Sequence, residues 1–349
     1  GIVPSIAVQR VEVLADGASS TYGSDAVAGV VNFVTRKDYQ GFEVTGQAGF
    51  ADGYNTLNGG VLWGERWADA SLMLAGNYSY RSILKSNARD SLNPDHSGHW
   101  GGTNFNGTHG DPAQILVNGT GNYYPNAQSA TAVPLAQAQR CNSGAYSALA
   151  PSDMRVNGMM KFEKSIGDRL TMGVDTVYSD RIDKRPVSRG GLNGVTVFGT
   201  GAQANPFYTL PPGTAGTKET VYYDANQLLG PGAHSLDDAK DMYIDTNFDY
   251  NIDDNWHATF LAMYGSEDNN VASYGTINSS AANLALNGTT NSNGSTTTPS
   301  VPNTTQLVLQ LPLTTANALD VWNPAATNRT SAAVKTAITD NSQTSIWYY

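Results

Sequence analysis

From Gly41 onward, apolar and polar residues change places at almost every step, in stretches of about ten residues. Gly41 to Phe50 sets Phe42, Val44, Ala48 and Phe50 on one parity and Glu43, Thr45 and Gln47 on the other. Leu57, Gly59, Val61 and Trp63 form a weaker second stretch, and Ala70 to Arg81 places Leu72, Leu74, Tyr78 and Tyr80 against Ser71, Asn77, Ser79 and Arg81. Met154 to Glu163, Leu170 to Ser179, Met242 to Ile252 and Trp256 to Tyr264 repeat the pattern, with Leu261 and Met263 interrupting the last polar side. Another stretch begins at Ser345. Successive side chains of a strand point to opposite faces, so each stretch reads as a β-strand with one apolar and one polar face. The 36 glycines, the 18 tyrosines against 9 phenylalanines and the Asn, Thr and Ser of the last third also favour strands and turns over helices.

The joins between these strands are unequal. Glu65 to Asp69, Ser165 to Asp168 and Asp253 to Asn255 are short, whereas residues 82–153, 182–240 and 268–340 are long; only Ala51 to Asn55 is a short join of the second set. A soluble sandwich has no reason to gather its long loops at one end. A membrane barrel does, with short turns on one side and long loops on the other. Phe42, Phe50, Trp63, Trp67, Tyr78, Tyr80, Trp256 and Tyr264 fall near strand ends, as interfacial girdles require. Charged residues make up 14% of the chain, where a soluble domain has roughly a quarter, and the deficit lies on one parity of each strand. No apolar run approaches the length of a transmembrane helix, a test that is blind to alternating strands.

Residues 9–38 carry a second signal, QRVEVLADGASSTYGSDAVAGVVNFVTRKD. Val11, Val13 and Leu14 form a short β-prone run, Asp16-Gly17 a turn, Ala18 to Tyr22 a single helical turn, and Val30 to Thr35 a second β run. A phosphate loop over Gly23 to Gly29 is excluded, because Val30-Val31 follows where a Lys-Ser or Lys-Thr is needed. The string strongly resembles the end of the plug domain of TonB-dependent outer-membrane receptors. It shares their Arg-Val-Glu-Val stretch (Arg10 to Val13), the turn glycine Gly17, the Tyr22-Gly23 pair, the Gly29-Val30-Val31-Asn32 stretch and the Thr35-Arg36-Lys37 exit. Ala18 and Ala28 depart from the family, which often has Pro and Gly there.

The resemblance implies an all-β antiparallel transmembrane barrel, incomplete here, preceded by the C-terminal part of an α+β plug domain. Residues 1–38 would end the plug and residues 39–349 begin the barrel, with about seven strands and the start of an eighth. The family's closed barrel has twenty-two strands around a plug, so the chain would be an internal fragment. It further implies import of a scarce ligand (a metal chelate or siderophore, cobalamin or an oligosaccharide) across the bacterial outer membrane. The partners would be outer-membrane lipid and TonB with its inner-membrane energy-transducing complex, whose N-terminal contact motif is absent from the chain. Plug charges of the family pair with wall carboxylates; here Arg10, Glu12 and Arg36 would be the plug charges, and Glu43, Asp175, Asp245 and Asp249 their partners. The rival readings are a receptor of the same fold acting mainly in signalling, and a surface adhesin or β-rich secreted hydrolase.

Catalysis and cofactors find no support. Asp237-Asp238 and Asp253-Asp254 read as turn and loop residues, and no Gly-x-Ser-x-Gly elbow accompanies any serine. His96, His99 and His109 lie with Asp95, Trp100 and Asp111 in the first long loop, but without a His-Glu-x-x-His spacing, so no metal site is assigned. His96, His99, Trp100, Tyr123 and Tyr124 remain ligand-contact candidates because binding residues gather on loops above a rigid scaffold. The single cysteine, Cys141, excludes an internal disulfide framework. The net charge of -10 argues against a nucleic-acid partner. Asn-x-Thr/Ser sequons, such as that at Asn287, arise from composition. Asn205-Pro206 and Asn323-Pro324 read as turn initiators.

Overall fold

A computed structural model describes residues 2–15, 29–37, 39–92, 94–98, 101–117, 121, 123–134, 140–297, 307–323 and 329–348. Its strands, in chain order, are β1 (Val8–Leu14), β2 (Val30–Thr35), β3 (Gly41–Ala51), β4 (Tyr54–Arg66), β5 (Ala70–Arg81), β6 (Leu84–Lys85), β7 (Gln114–Val117) and β8 (Tyr123–Tyr124), then β9 (Ala148–Ala150), β10 (Ser152–Ile166), β11 (Leu170–Pro186), β12 (Gly191–Phe198), β13 (Lys218–Asp224), β14 (His234–Asn251), β15 (His257–Ile277) and β16 (Thr339–Tyr348). The alternating stretches form one antiparallel sheet in the order β3-β4-β5-β10-β11-β14-β15-β16, each strand beside its nearest alternating neighbour in the chain. The sheet is open, with β3 and β16 at its edges.

Side-chain parity follows the sequence. Phe42, Val44, Phe50, Val61, Leu74, Val156, Tyr178, Met242, Tyr250 and Phe260 stand exposed on one face, which we call the outer face. The other, inner face receives the segment Val3–Ala7. Two tight turns show the local logic: Asp52-Gly53 between β3 and β4, and Gly167 to Arg169 between β10 and β11, where Gly53 (φ 67°) and Gly167 (φ 65°) supply the left-handed backbone.

Four strands are longer than the alternation indicates. β10, β11, β14 and β15 have 15, 17, 18 and 21 residues. The long joins therefore shrink to residues 82–151, 187–233 and 278–338. The reason is chemical: beyond Tyr178, Met242 and Tyr264 the outer positions become polar (Asp180, Lys240, Asp268), so hydropathy stops alternating while the hydrogen-bond ladder continues. Asp237 and Asp238 accordingly lie within β14, paired with Asp183 and Ile182, and not in a loop. Asp253 does make a turn, its carboxylate accepting from the backbone N–H of Asn255 (2.8 Å) and Trp256 (3.0 Å).

The three long joins are not separate polar loops. They build one cap with its own sheet, β12-β13-β7-β8, and with the helical turn α1 (Asn226–Leu229) and the helices α2 (Ser279–Asn287) and α3 (Ala332–Ala337). Asn278 caps α2 by accepting from Ala281 N–H at 3.0 Å, and Gly288 ends it in the left-handed conformation. Ile115, Val195, Val197, Val221, Tyr223, Leu286, Leu319 and Trp322 are buried together in the cap, the larger of the two apolar cores. Asn205, expected as a turn initiator, ties this core: its Nδ2 donates to the carbonyls of Leu286 (3.1 Å) and Leu319 (3.2 Å), while its Oδ1 accepts from Phe207 N–H (3.0 Å). Asn287 is fully buried and donates to the carbonyls of Thr196 and Asn291, so its sequon is closed to modification in the folded chain.

Candidate functional site

The inner face is graded along the strands. Leu62, Ala75, Met159 and Val177 stand opposite one another across β4, β5, β10 and β11, forming a transverse apolar row where polar parity is expected. Ile6 and Ala7 pack on this row with Met73, and all these side chains are buried. Ser5 Oγ donates to Asn77 Oδ1 at 3.1 Å, which holds the segment from above.

On one side of the apolar row lies a charged one. Arg36 Nη1 donates to Glu43 Oε2 at 2.7 Å, and its guanidinium sits over the Tyr39 ring at 5.5 Å. Lys161 Nζ bridges Asp175 (2.7 Å) and the hydroxyl of Thr35 (3.0 Å). Backbone N–H of Arg36 donates to the Ala7 carbonyl at 2.8 Å, so the end of β2 is tied to the segment before β1 as well as to the sheet. Arg36, Tyr39, Met73, Lys161, Asp175 and Asn247 line a cavity of about 130 Å³ there. On the other side of the apolar row, Asp153 draws in Arg181 (3.3 Å), Arg155 (3.6 Å) and Arg81 (3.8 Å), and Arg181 also bonds Asp183.

Of the residues singled out above, Arg36 and Glu43 meet. Asp175 meets a sheet lysine, and among the described residues no salt bridge joins it to the segment before β3. Arg10 and Glu12 pair with each other at 2.7 Å, and Asn32, directly opposite Glu12 in the β1-β2 register, donates to it at 3.3 Å. Asp245 faces Asp175 across the β11-β14 register, and Asp249 accepts from Asn247 (2.9 Å) and Thr259 (2.6 Å). Gly29 has φ 126° and its backbone passes so close to the Leu14 carbonyl that a Cβ would clash, a physical reason for glycine there. Gly17, Tyr22, Gly23, His99 and Trp100 lie outside the described residues, as does the helical turn expected over Ala18 to Tyr22.

In the cap, His96 packs edge-on to Phe105 with ring centroids 5.7 Å apart. Tyr123 and Tyr124 form β8, where Tyr123 meets Tyr222 edge-on at 5.5 Å and Tyr124 packs against the apolar core. Among the described residues no three His, Cys, Asp or Glu side chains come together as a metal site would require.

Two polar clusters in the cap are not assembled by the sequence, which sets only His109 and Asp111 of the first near each other. Gly110 pairs in parallel with Tyr223, through Asp224 N–H to Gly110 O at 2.9 Å, which sets Asp111 beside Asp224. His109, Asp111, Cys141, Tyr146 and Asp224 border a cavity of about 190 Å³. Burial, reinforced by the Asp224 charge, pushes the Asp111 carboxyl up to about 6, and burial beside Asp224 pushes the Cys141 thiol up to about 12, which leaves it unreactive. Burial holds the His109 imidazole below its ordinary range. The second cluster is Glu219, fully buried on β13, whose carboxyl accepts from the Trp322 indole N–H; burial raises it to about 8. Spacing assembles neither cluster, since each joins residues from different joins of the chain.

No family model matches the chain. Among solved structures it shows similarity to the siderophore receptor PiuA from Acinetobacter baumannii, at 11% sequence identity and a TM-score of 0.16, over 77% of this chain and 53% of that one. The chain thus spans about half the length of that receptor, and a superposition this loose assigns neither fold nor function.

Proposed function

We propose that the chain is part of a TonB-dependent outer-membrane receptor that imports a scarce small-molecule ligand, and that it performs no catalysis. In this reading the outer face meets lipid, the inner face lines the lumen, residues 1–38 are the end of the plug, and the cap is extracellular. The observation that carries it is the eight-stranded meander, whose outer face carries a band of exposed apolar side chains running from β3 to β15 while every long join leaves from one end. An apolar outer belt without a covering layer is costly in water and stable in hydrocarbon. The open edges at β3 and β16 would leave backbone groups unpaired in lipid, so the reading requires further strands in the complete protein.

The Arg36–Glu43 pair and the Lys161–Thr35 contact then fasten the end of the plug to the wall beside the apolar seat of Ile6 and Ala7. Such ties hold the lumen closed until an external pull breaks them, the task the energy-transducing partner would perform. The candidate ligand classes are metal chelates, cobalamin and oligosaccharides. The test is binding of each class to the complete receptor, followed by uptake in cells with and without TonB. Uptake of one class that disappears without TonB supports the reading; a complete protein found in the soluble fraction sinks it.

A further inference from the structure

Glu219 occupies a singular place in the cap. It belongs to the second long join, on β13, the strand that pairs with both β12 and β7. Val117 of the first join stands directly opposite it on β7, and Val197 directly opposite it on β12. Its hydrogen-bond donor, Trp322, comes from the third join. All three joins therefore meet at one carboxyl group that is wholly removed from solvent. Oε2 of that group has no hydrogen-bond partner among the described residues.

We propose that Glu219 is a proton-dependent tie of the cap: protonated, it holds the three long joins together, and ionised, it loosens them. The physical reason is desolvation. A neutral carboxyl tolerates an apolar site with one hydrogen bond, whereas a carboxylate there needs a cation or several donors. The groups facing it supply neither. Val117, Val197 and the Trp322 indole are uncharged, and Tyr208, edge-on to Trp322 at 6.1 Å, is held in its neutral form by burial and the nearby Glu219. Arg329 of the third join is engaged with Asp320 at 3.0 Å. At the far end of β13, Asp224 belongs to the separate cluster with His109, Asp111, Arg140, Cys141 and Tyr146. The raised affinity of Glu219 for its proton agrees with this geometry. The tie concerns the cap alone and stands whatever ligand crosses the barrel.

The experiment is amide hydrogen exchange of the complete receptor in lipid nanodiscs at pH 6, 7.5 and 9, corrected for intrinsic exchange rates. Each pH unit below the raised value of about 8 adds a factor of ten to the proton's stabilisation, so peptides over β7, β13 and residues 319–322 should open about a hundredfold more often at pH 9 than at pH 6. Glu219→Gln, neutral and of the same shape, should abolish that difference. An unchanged pH dependence in Glu219→Gln overturns the proposal, as does a wild-type cap whose opening ignores pH. Should Glu219→Gln fail to fold, Asp111→Asn decides: loosening around residues 319–322 persists if Glu219 is its source and vanishes if the outer carboxylates are.

Discussion

Breaking the Arg36–Glu43 pair should loosen β2 from the sheet by an amount that the geometry bounds. The two side chains retain 30% and 35% exposure and make one charge-assisted hydrogen bond of 2.7 Å. Fully exposed pairs are worth about 0.2 to 1 kcal/mol, and hydrogen bonds to charged groups about 1.5 to 3 kcal/mol. Discounting the stronger figure for solvent screening leaves a coupling of about 1 kcal/mol, roughly a fivefold change in local opening. Arg36→Ala, Glu43→Ala and the double variant form a cycle read by hydrogen exchange at β2 in the complete receptor. Single variants should each open β2 more, and the double variant should open it about 1 kcal/mol less than the sum of the two. Raising salt to about 1 M, where the screening length is about 3 Å, should erode most of that coupling. Strictly additive single effects, or a coupling indifferent to salt, would refute the tie and leave Arg36 stabilised by Tyr39 and the Ala7 carbonyl alone.

Further expectations concern the cap. Asn205→Ala strands the carbonyls of Leu286 and Leu319 in the core and should cost about 2 kcal/mol, seen as faster proteolysis within residues 278–338. Arg189 donates to the carbonyls of Leu229, Gly230, Pro231 and Gly275, so Arg189→Met should detach the base of the second join from β15, at about 3 kcal/mol, with faster exchange at Gly275 to Ile277. Asp111 has its folded pKa raised to about 6 from 3.8, so its contribution to stability is full below about pH 4 and is lost as pH rises through about 6. Asp111→Asn should thus stabilise the contact between residues 107–111 and β13 above pH 6 by about 1 to 3 kcal/mol, allowing for partial exposure, and leave it unchanged at pH 4; a gain of equal size at both pH values would disprove the assignment.

Strands are legible in this chain because one face alternates strictly, and a one-residue slip would invert Phe42, Leu74 and Met242 together. Their upper ends are not, because Asp180, Lys240 and Asp268 on the outer positions look like loop residues although the backbone ladder runs on. The apolar row of Leu62, Ala75, Met159 and Val177 was hidden for the opposite reason: single apolar residues on a polar parity mean nothing until the register lines them up. The cap core draws Ile115, Val221, Leu286 and Trp322 from three joins, and its buried Gln114, Glu219 and Asp320 carry no sequence mark of burial. Long-range pairing, not local propensity, made these features. The charges Arg10 and Glu12 illustrate a local limit, since they stand two residues apart on one strand and pair with each other.

The central claim is that the outer face meets hydrocarbon and the inner face water. Spin labels placed singly at positions 71 to 79 of β5 in the complete receptor, reconstituted in bilayers, test it by accessibility to oxygen and to a water-soluble nickel chelate. Positions 72, 74 and 78 should be open to oxygen and closed to the chelate, with 71, 77 and 79 in the opposite phase. Uniform access of the chelate to both parities, or the reverse phase, would contradict a membrane-spanning wall.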